Sequence, residues 1–306
     1  MSNDLRIVYM GTPEFACAGL ETLIKNKYNI VGVITAPDKK SGRGQKVNSS
    51  PVKELAQKNH LRILQPTNLK DPEFINELKS LNANLQIVVA FRMLPEIVWD
   101  MPQIGTFNLH ASLLPQYRGA APINWAVING ETKTGVTTFF LKHKIDTGDI
   151  LIQETTDILP EDNVGTLYNK LMNQGGEVIL KTVKAIEQNN YKPIAQQESI
   201  DLKEAPKIFK ETCEINWAQS ATMIHNFVRG LSPYPVAWTN LKDKTCKVFD
   251  TEVTDKPSQG APGTFESDGK TYFNFNTNDV QLSVKKIQLQ GKKQMAIEDF
   301  LRGYQL

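Results

Sequence analysis

The sequence predicts an α/β protein, with a Rossmann-like, mainly parallel sheet domain followed by a small C-terminal β-barrel domain, OB-like in its strand spacing. Three observations predict it. The 306 residues exceed what one domain of ordinary size uses. The first 190 alternate short apolar runs with amphipathic stretches, the pattern of βα units. Beyond about residue 206 short β-like runs are instead separated by Gly, Asn, Asp and Pro, which suits a barrel.

Leu5-Arg6-Ile7-Val8-Tyr9-Met10 reads as a first buried strand. Gly11-Thr12-Pro13-Glu14 then turns into a helix over 14–26, with Thr12 as N-cap and Pro13 at the first helical position. Ile30–Ile34 is a second strand and Leu85–Ala90 another, and Thr106–His110, Gly135–Leu141 and Ile150–Gln153 complete the sheet. Helices are expected at 51–59, 72–81, 122–129 and 164–188. Residues 190–206 lose periodicity and are polar, with Pro193 and Pro206, so a linker is expected there. The chain thus divides into domains at 1–189 and 207–306. In the second, strands are expected over Val236–Leu241, Lys247–Val253, Thr271–Phe275 and Val280–Val284.

Composition excludes several classes. Net charge is +2, too small to bind nucleic acid through the bulk field. The excess lies beyond residue 206, notably at Lys285-Lys286 and Lys292-Lys293, so any RNA contact must come from local patches. Cys17, Cys213 and Cys246 form neither a disulfide framework nor a CxxC pair, which points to a reducing compartment without structural zinc. No apolar run approaches the ~20 residues that cross a bilayer. The N-terminus has no basic stretch before an apolar core, unlike a secretory signal. A cytoplasmic monomer, with no membrane partner, is expected.

Several segments can carry chemistry. The first βα turn holds one glycine, Gly11, where a dinucleotide fingerprint needs three; it is read either as a tight turn or as a helix N-terminus where a ligand's end rests. Asn108 and His110 alternate along a strand and so face one side, which at the end of a parallel strand opens into a cleft. His supplies or accepts a proton near neutrality and an Asn amide donates to a developing oxyanion; a histidine bonded to a backbone carbonyl is the plainer alternative. The run from Ser112 to Gly119 joins apolar residues, a rigid Pro and backbone donors, which suits a structural loop or, given its length and the neighbouring His110, a pocket wall for a flat aromatic ligand. Asp146-Thr147-Gly148 occurs once, whereas an aspartic protease needs two such carboxylates on paired β-lobes. Alone it is a reverse turn; near His110 its carboxylate can orient an imidazole or relay a proton. Residues 37–46 form a long basic loop with Lys39, Lys40, Arg43 and Lys46 against Asp38, either solvated or phosphate-binding.

Together these segments resemble the methionyl-tRNA formyltransferase family over essentially the whole chain. The resemblance rests on Gly11–Phe15, Pro37-Asp38 with Gly42-Arg43-Gly44, Ser50–Lys53, Asn108–Pro115, Tyr117–Ile123 and Asp146–Asp149. In the tail it rests on Ile215–Trp217, Arg229–Pro235 with Trp238, Ala261–Thr264 and Gly291–Lys293. The Asn-x-His, Ser-Leu-Leu-Pro and Asp-Thr-Gly set is specific to the formyltransferase superfamily, and the tail chooses the acceptor.

The resemblance implies transfer of a formyl group from 10-formyltetrahydrofolate to the amine of methionyl initiator tRNA, with no metal. It implies catalytic roles for Asn108, His110 and Asp146, and folate binding by Ser112, Leu113, Leu114 and Pro115. It implies tRNA contacts from Lys39, Lys40, Arg43, Lys46, Lys292 and Lys293. The chain departs from the family at Phe91-Arg92-Met93-Leu94-Pro95, where the commoner pattern is Ala-Tyr-Gly followed by Ile-Leu-Pro. Two rivals share features: a formyltransferase acting on a nucleotide sugar or glycinamide ribotide, and a non-catalytic RNA-binding protein.

Overall fold

A computed structural model describes residues 4–41, 46–197 and 201–304, with backbone alone for residues 40, 41, 46 and 47. The chain order is β1 (Arg6–Gly11), α1 (Cys17–Lys25), β2 (Asn29–Ile34), β3 (Lys39–Ser41), β4 (Lys46–Asn48), α2 (Pro51–Lys58), β5 (Ile63–Leu64) and α3 (Pro72–Ser80). There follow β6 (Leu85–Val89), α4 (Glu96–Trp99), β7 (Gly105–His110), β8 (Arg118–Gly119), α5 (Pro122–Ile128), β9 (Lys133–Phe140), β10 (Ile150–Asp157) and α6 (Val164–Glu187). The remainder is β11 (Glu204–Ala205), α7 (Ala221–Leu231), β12 (Ala237–Leu241), β13 (Lys244–Pro257), β14 (Phe265–Ser267), β15 (Phe273–Phe275), β16 (Val280–Leu289), β17 (Met295–Ala296) and α8 (Ile297–Gly303). No described helix is long and apolar enough to cross a membrane.

Two compact units emerge. The first comprises Met1–Arg118, Gly135–Thr156 and Asn169–Lys203, and the second Gly119–Thr134, Asp157–Tyr168 and Glu204–Leu306.

The first unit holds a seven-stranded sheet in the order β10-β9-β7-β6-β1-β2-β5. From β5 to β7 every pair is parallel, and β9 joins β7 antiparallel. Parallel strands covered on both faces read as continuous apolar runs, and β1 and β6 are buried almost throughout. Strand order reverses between β1 and β6, the switch point at which the strands' carboxyl ends leave a crevice. Gly11 ends β1 at that point. A Cβ there would lie 2.5 Å from Ala16 Cβ, so the glycine is required by the tight turn.

Thr12 does not cap a helix, contrary to expectation. The Ala16 N–H bonds the Pro13 carbonyl at 2.9 Å, an i to i+3 closure that makes Glu14–Ala16 a 3-10 turn ahead of α1. The buried Tyr9 hydroxyl donates to the Ala16 carbonyl at 2.7 Å and fixes that turn from beneath. Strand β5 and helix α4 were not expected, being two and four residues long and too short to show a period. Residues 37–46 are not simply a loop: β3 and β4 pair antiparallel across it. Arg43 lies outside the described residues, as do the side chains of Lys40 and Lys46.

The second unit contains an antiparallel sheet, β12-β13-β16-β15-β14, with β17 on β16. The tail also holds helices α7 and α8, where strands alone were expected. Ser220 caps α7 by accepting from the Met223 N–H, and Ile224, Val228 and Leu231 recur at helical spacing on its buried face. That face joins Phe273, Phe275, Leu282, Val284 and Ile287 in one core. Trp217 stacks on Phe275 at 4.2 Å, and Phe273 meets Phe275 edge-on at 4.8 Å. The cysteines are free; burial pushes the Cys246 thiol up to about 12, which keeps it protonated and inert at neutral pH.

Phe273 is fully buried at the centre of this cluster. Phe273→Ala should cost about 3–5 kcal/mol of stability through lost burial and the cavity left behind. Urea denaturation of the full chain measures it, and a loss under about 1 kcal/mol would contradict this account of the core.

Candidate active site

Strand β7 brings Asn108 and His110 to the carboxyl end of the sheet, two residues apart and on one face. Asn108 is half-buried and its carboxamide has no hydrogen-bond partner among the described residues. His110 is buried, and its Nε2 lies 2.8 Å from the Tyr117 carbonyl. A carbonyl oxygen only accepts, so Nε2 carries a proton in the neutral ring and Nδ1 is left with the lone pair. Nδ1 faces Asp146 Oδ2 at 4.0 Å, both side chains being largely shielded from water.

The Tyr117 carbonyl reaches the ring because the backbone there is left-handed, with φ 59°. Its N–H donates to the Lys203 carbonyl at 2.6 Å, which holds the conformation. Asp146 is also left-handed, with φ 53°, which Asp tolerates better than most residues. Gly148 packs directly on β9: a Cβ there would lie 1.6 Å from the Phe140 carbonyl oxygen, so no side chain fits. The Asp-Thr-Gly turn is therefore pressed onto the strand that neighbours β7.

The segment 112–115, expected to bind folate, follows His110 directly. Ser112 is buried and donates from Oγ to the Gln116 carbonyl at 2.6 Å; Leu114 is buried, while Leu113 and Pro115 are half-buried. A buried hub orders it. Thr137 Oγ1 donates to the Ser112 carbonyl at 2.6 Å and accepts from the Leu114 N–H at 3.2 Å and from Gln153 Nε2 at 2.9 Å. Gln153 Nε2 also bonds the Leu114 carbonyl at 3.0 Å.

The divergent stretch at 91–95 is anchored by Arg92. Its guanidinium donates to the carbonyls of Thr67 and Pro66 and stands 5.6 Å from the Phe91 ring centroid. Leu94 turns inward, while Met93 is 74% exposed. Of the expected tRNA-contacting cations with described side chains, Lys39 in the first unit and Lys292 and Lys293 in the second are all exposed.

Sequence reasoning missed the Tyr117 carbonyl, Thr137, Gln153, Arg118 and Gln196. A backbone carbonyl carries no side-chain signal, and Thr137 and Gln153 sit on strands where Thr and Gln look ordinary. Gln196 lies in the polar stretch read as a linker. That stretch is tied down: Ile194 exchanges two backbone hydrogen bonds with Ile150, at 2.8 and 2.9 Å, and Lys203 N–H donates to Gln116 Oε1 at 2.8 Å.

Replacing the hub hydroxyl by a methyl in Thr137→Val leaves the Ser112 carbonyl and Leu114 N–H short of a buried partner. Stability of the full chain should fall by about 1–3 kcal/mol in chemical denaturation. A loss within about 0.5 kcal/mol, as for an ordinary surface change, would remove the hub from the account.

Comparison with known proteins shows the family. The formyl transferase family profile matches residues 5–183 and the formyl transferase C-terminal domain matches residues 207–305. A methionyl-tRNA formyltransferase of Bacteroides fragilis is 53% identical, covering 99% of this chain and 96% of that protein. Those of Phocaeicola vulgatus and Flavobacterium johnsoniae are 56% and 52% identical over 98% of this chain. Among solved structures, the sugar 3N-formyl transferase WlaRD, determined in the presence of dTDP and 5-N-formyl-THF, superposes with a TM-score of 0.68 at 22% identity, covering 95% of this chain and 100% of its own. HypX from Aquifex aeolicus in complex with tetrahydrofolic acid gives 0.65 at 18% identity over 98% of this chain and 48% of its own, and both show a shared fold. With two family profiles spanning nearly all of its length and relatives above 50% identity end to end, the chain belongs to the methionyl-tRNA formyltransferase family.

Proposed function

We propose that this chain transfers the formyl group of 10-formyltetrahydrofolate to the free amine of methionyl initiator tRNA, giving N-formylmethionyl-tRNA for translation initiation. The observation that carries the reading is the set at the end of β7: an unengaged carboxamide, a tautomer-fixed imidazole and a facing carboxylate, in a chain more than half identical to methionyl-tRNA formyltransferases. Residues 1–189 are the catalytic domain, 190–206 the connection and 207–306 the tRNA-binding domain. Lys39, Lys40, Arg43, Lys46, Lys292 and Lys293 contact tRNA phosphates, and the chain works in the cytoplasm as a monomer.

The donor set suits the cosubstrate. A carbonyl carbon attacked by a neutral amine needs N–H donors for the oxygen and a base for the amine's proton, which Asn108, His110 and Asp146 supply without a covalent intermediate. When bound, 10-formyltetrahydrofolate supplies the formyl group, and the rigid Ser112–Pro115 segment walls its site. As the C–N bond forms, Asn108 donates to the oxygen that gains negative charge. His110 protonated at Nδ1 completes the charge stabilisation, with Asp146 as its counter-ion. The amine's proton passes through this pair toward the departing folate nitrogen as the old C–N bond breaks.

Competition among acceptors tests the assignment. Methionyl initiator tRNA should be formylated far faster than glycinamide ribotide or an aminosugar nucleotide. Comparable rates with either small amine would move the chain to a different acceptor, and no transfer to any would favour an RNA-binding protein.

Asp146→Asn keeps the size and turn-forming character of the side chain but removes the charge and the proton acceptor. Single-turnover formylation should fall by about 10²–10⁴, with folate binding little changed. Near-normal turnover in a folded variant would refute the role given to Asp146.

A further inference from the structure

We infer that Gln196 is a positioning residue for formyl transfer, holding the Asp146 turn in register with His110. It rests on the reading of Asp146 as the acid–base partner of His110. The Gln196 carboxamide uses both ends. Nε2 donates to the Asp146 carbonyl at 2.9 Å and to the Gly148 carbonyl at 2.8 Å, clasping the turn on either side of Thr147. Oε1 accepts two bonds from the Arg118 guanidinium, 3.1 Å from Nε and 2.6 Å from Nη2. Arg118 directly follows Tyr117, whose carbonyl holds His110 Nε2. The two supports of the catalytic pair, one on the imidazole and one on the carboxylate, are therefore joined through a single side chain.

The turn needs such a clasp. Asp146 sits in the left-handed region, where a non-glycine residue costs about 1 kcal/mol or more and persists only when its surroundings over-determine it. The 4.0 Å between His110 Nδ1 and Asp146 Oδ2 is longer than a hydrogen bond, so the imidazole does not by itself fix the carboxylate, and the backbone conformation of the turn bears on where it sits. The turn also rests on β9, where Gly148 abuts Phe140, and Thr147 Oγ1 donates to the Lys144 carbonyl at 2.8 Å. Gln196 reaches the site from the stretch beyond α6, which the paired bonds of Ile194 and Ile150 fix two residues before it. A glutamine is required in particular: it donates to two carbonyls with one end while accepting from a guanidinium with the other, and a glutamate there can do only the second.

The test is single-turnover formylation of methionyl initiator tRNA by the full chain. Gln196→Ala should slow the chemical step about 10- to 100-fold, the scale of a displacement near 1 Å, while KM for the tRNA stays within about twofold. Gln196→Glu retains the Arg118 bond, and with it the fold, but presents oxygen to the two carbonyls; it should be at least as slow as Gln196→Ala. In an Asp146→Asn background, Gln196→Ala should add less than about twofold, because the group it positions is already disabled. Normal turnover in Gln196→Glu, with Asp146→Asn slow, would overturn the role of Gln196 alone. Normal turnover in Asp146→Asn would overturn the reading of Asp146 and this inference with it. Fully multiplicative losses in the double variant would show Gln196 acting by another route and would also overturn the inference.

Discussion

The hydrogen bond from His110 Nε2 to the Tyr117 carbonyl, at 2.8 Å, decides what the rest of the site can do. It consumes the one proton a neutral imidazole carries, so the free nitrogen is Nδ1, which faces the Asp146 carboxylate at 4.0 Å. The bond requires a left-handed Tyr117, and that conformation is held by the bond from its N–H to Lys203. A tautomer is thus set by a residue more than ninety positions downstream, through backbone alone.

The sheet explains why this bond can form where it does. Five parallel strands deliver β7 beside β6 with its carboxyl end at the crevice, and antiparallel β9 then returns alongside it. His110 pairs in register with Thr137, the residue whose hydroxyl orders Ser112 and Leu114. One strand pair therefore carries both the imidazole and the hub that orders the 112–115 segment. The Gly148 contact with Phe140 continues the same dependence, since the Asp146 turn is seated on the end of β9.

The sheet was legible because buried parallel strands read as continuous apolar runs, as β1, β2 and β6 do. That Asn108 and His110 share one face was legible from strand alternation, and the structure sets Asp146, singled out with them by the family resemblance, 4.0 Å from the imidazole. Thr12 misled because Thr-Pro-Glu is a capping pattern, whereas Tyr9 and the i to i+3 closure at Ala16 impose a 3-10 turn. Helix α7 lies among turn-rich β-like runs that mask its period, although Ile224, Val228 and Leu231 carry it. Gln196 had no local signature: a glutamine in an aperiodic polar stretch acquires meaning only when the fold sets it between two carbonyls and a guanidinium.

The tautomer of His110 is the most direct test of this account. Nitrogen NMR of the full chain with labelled histidine rings, with the His110 signals identified by their loss in His110→Asn, reports which ring nitrogen bears the proton at a pH where the ring is neutral. The account predicts a protonated Nε2 and a lone-pair Nδ1. A ring protonated at Nδ1, with Nε2 free, would mean that the Tyr117 carbonyl does not hold His110, and the proton path through Asp146 would fall with it.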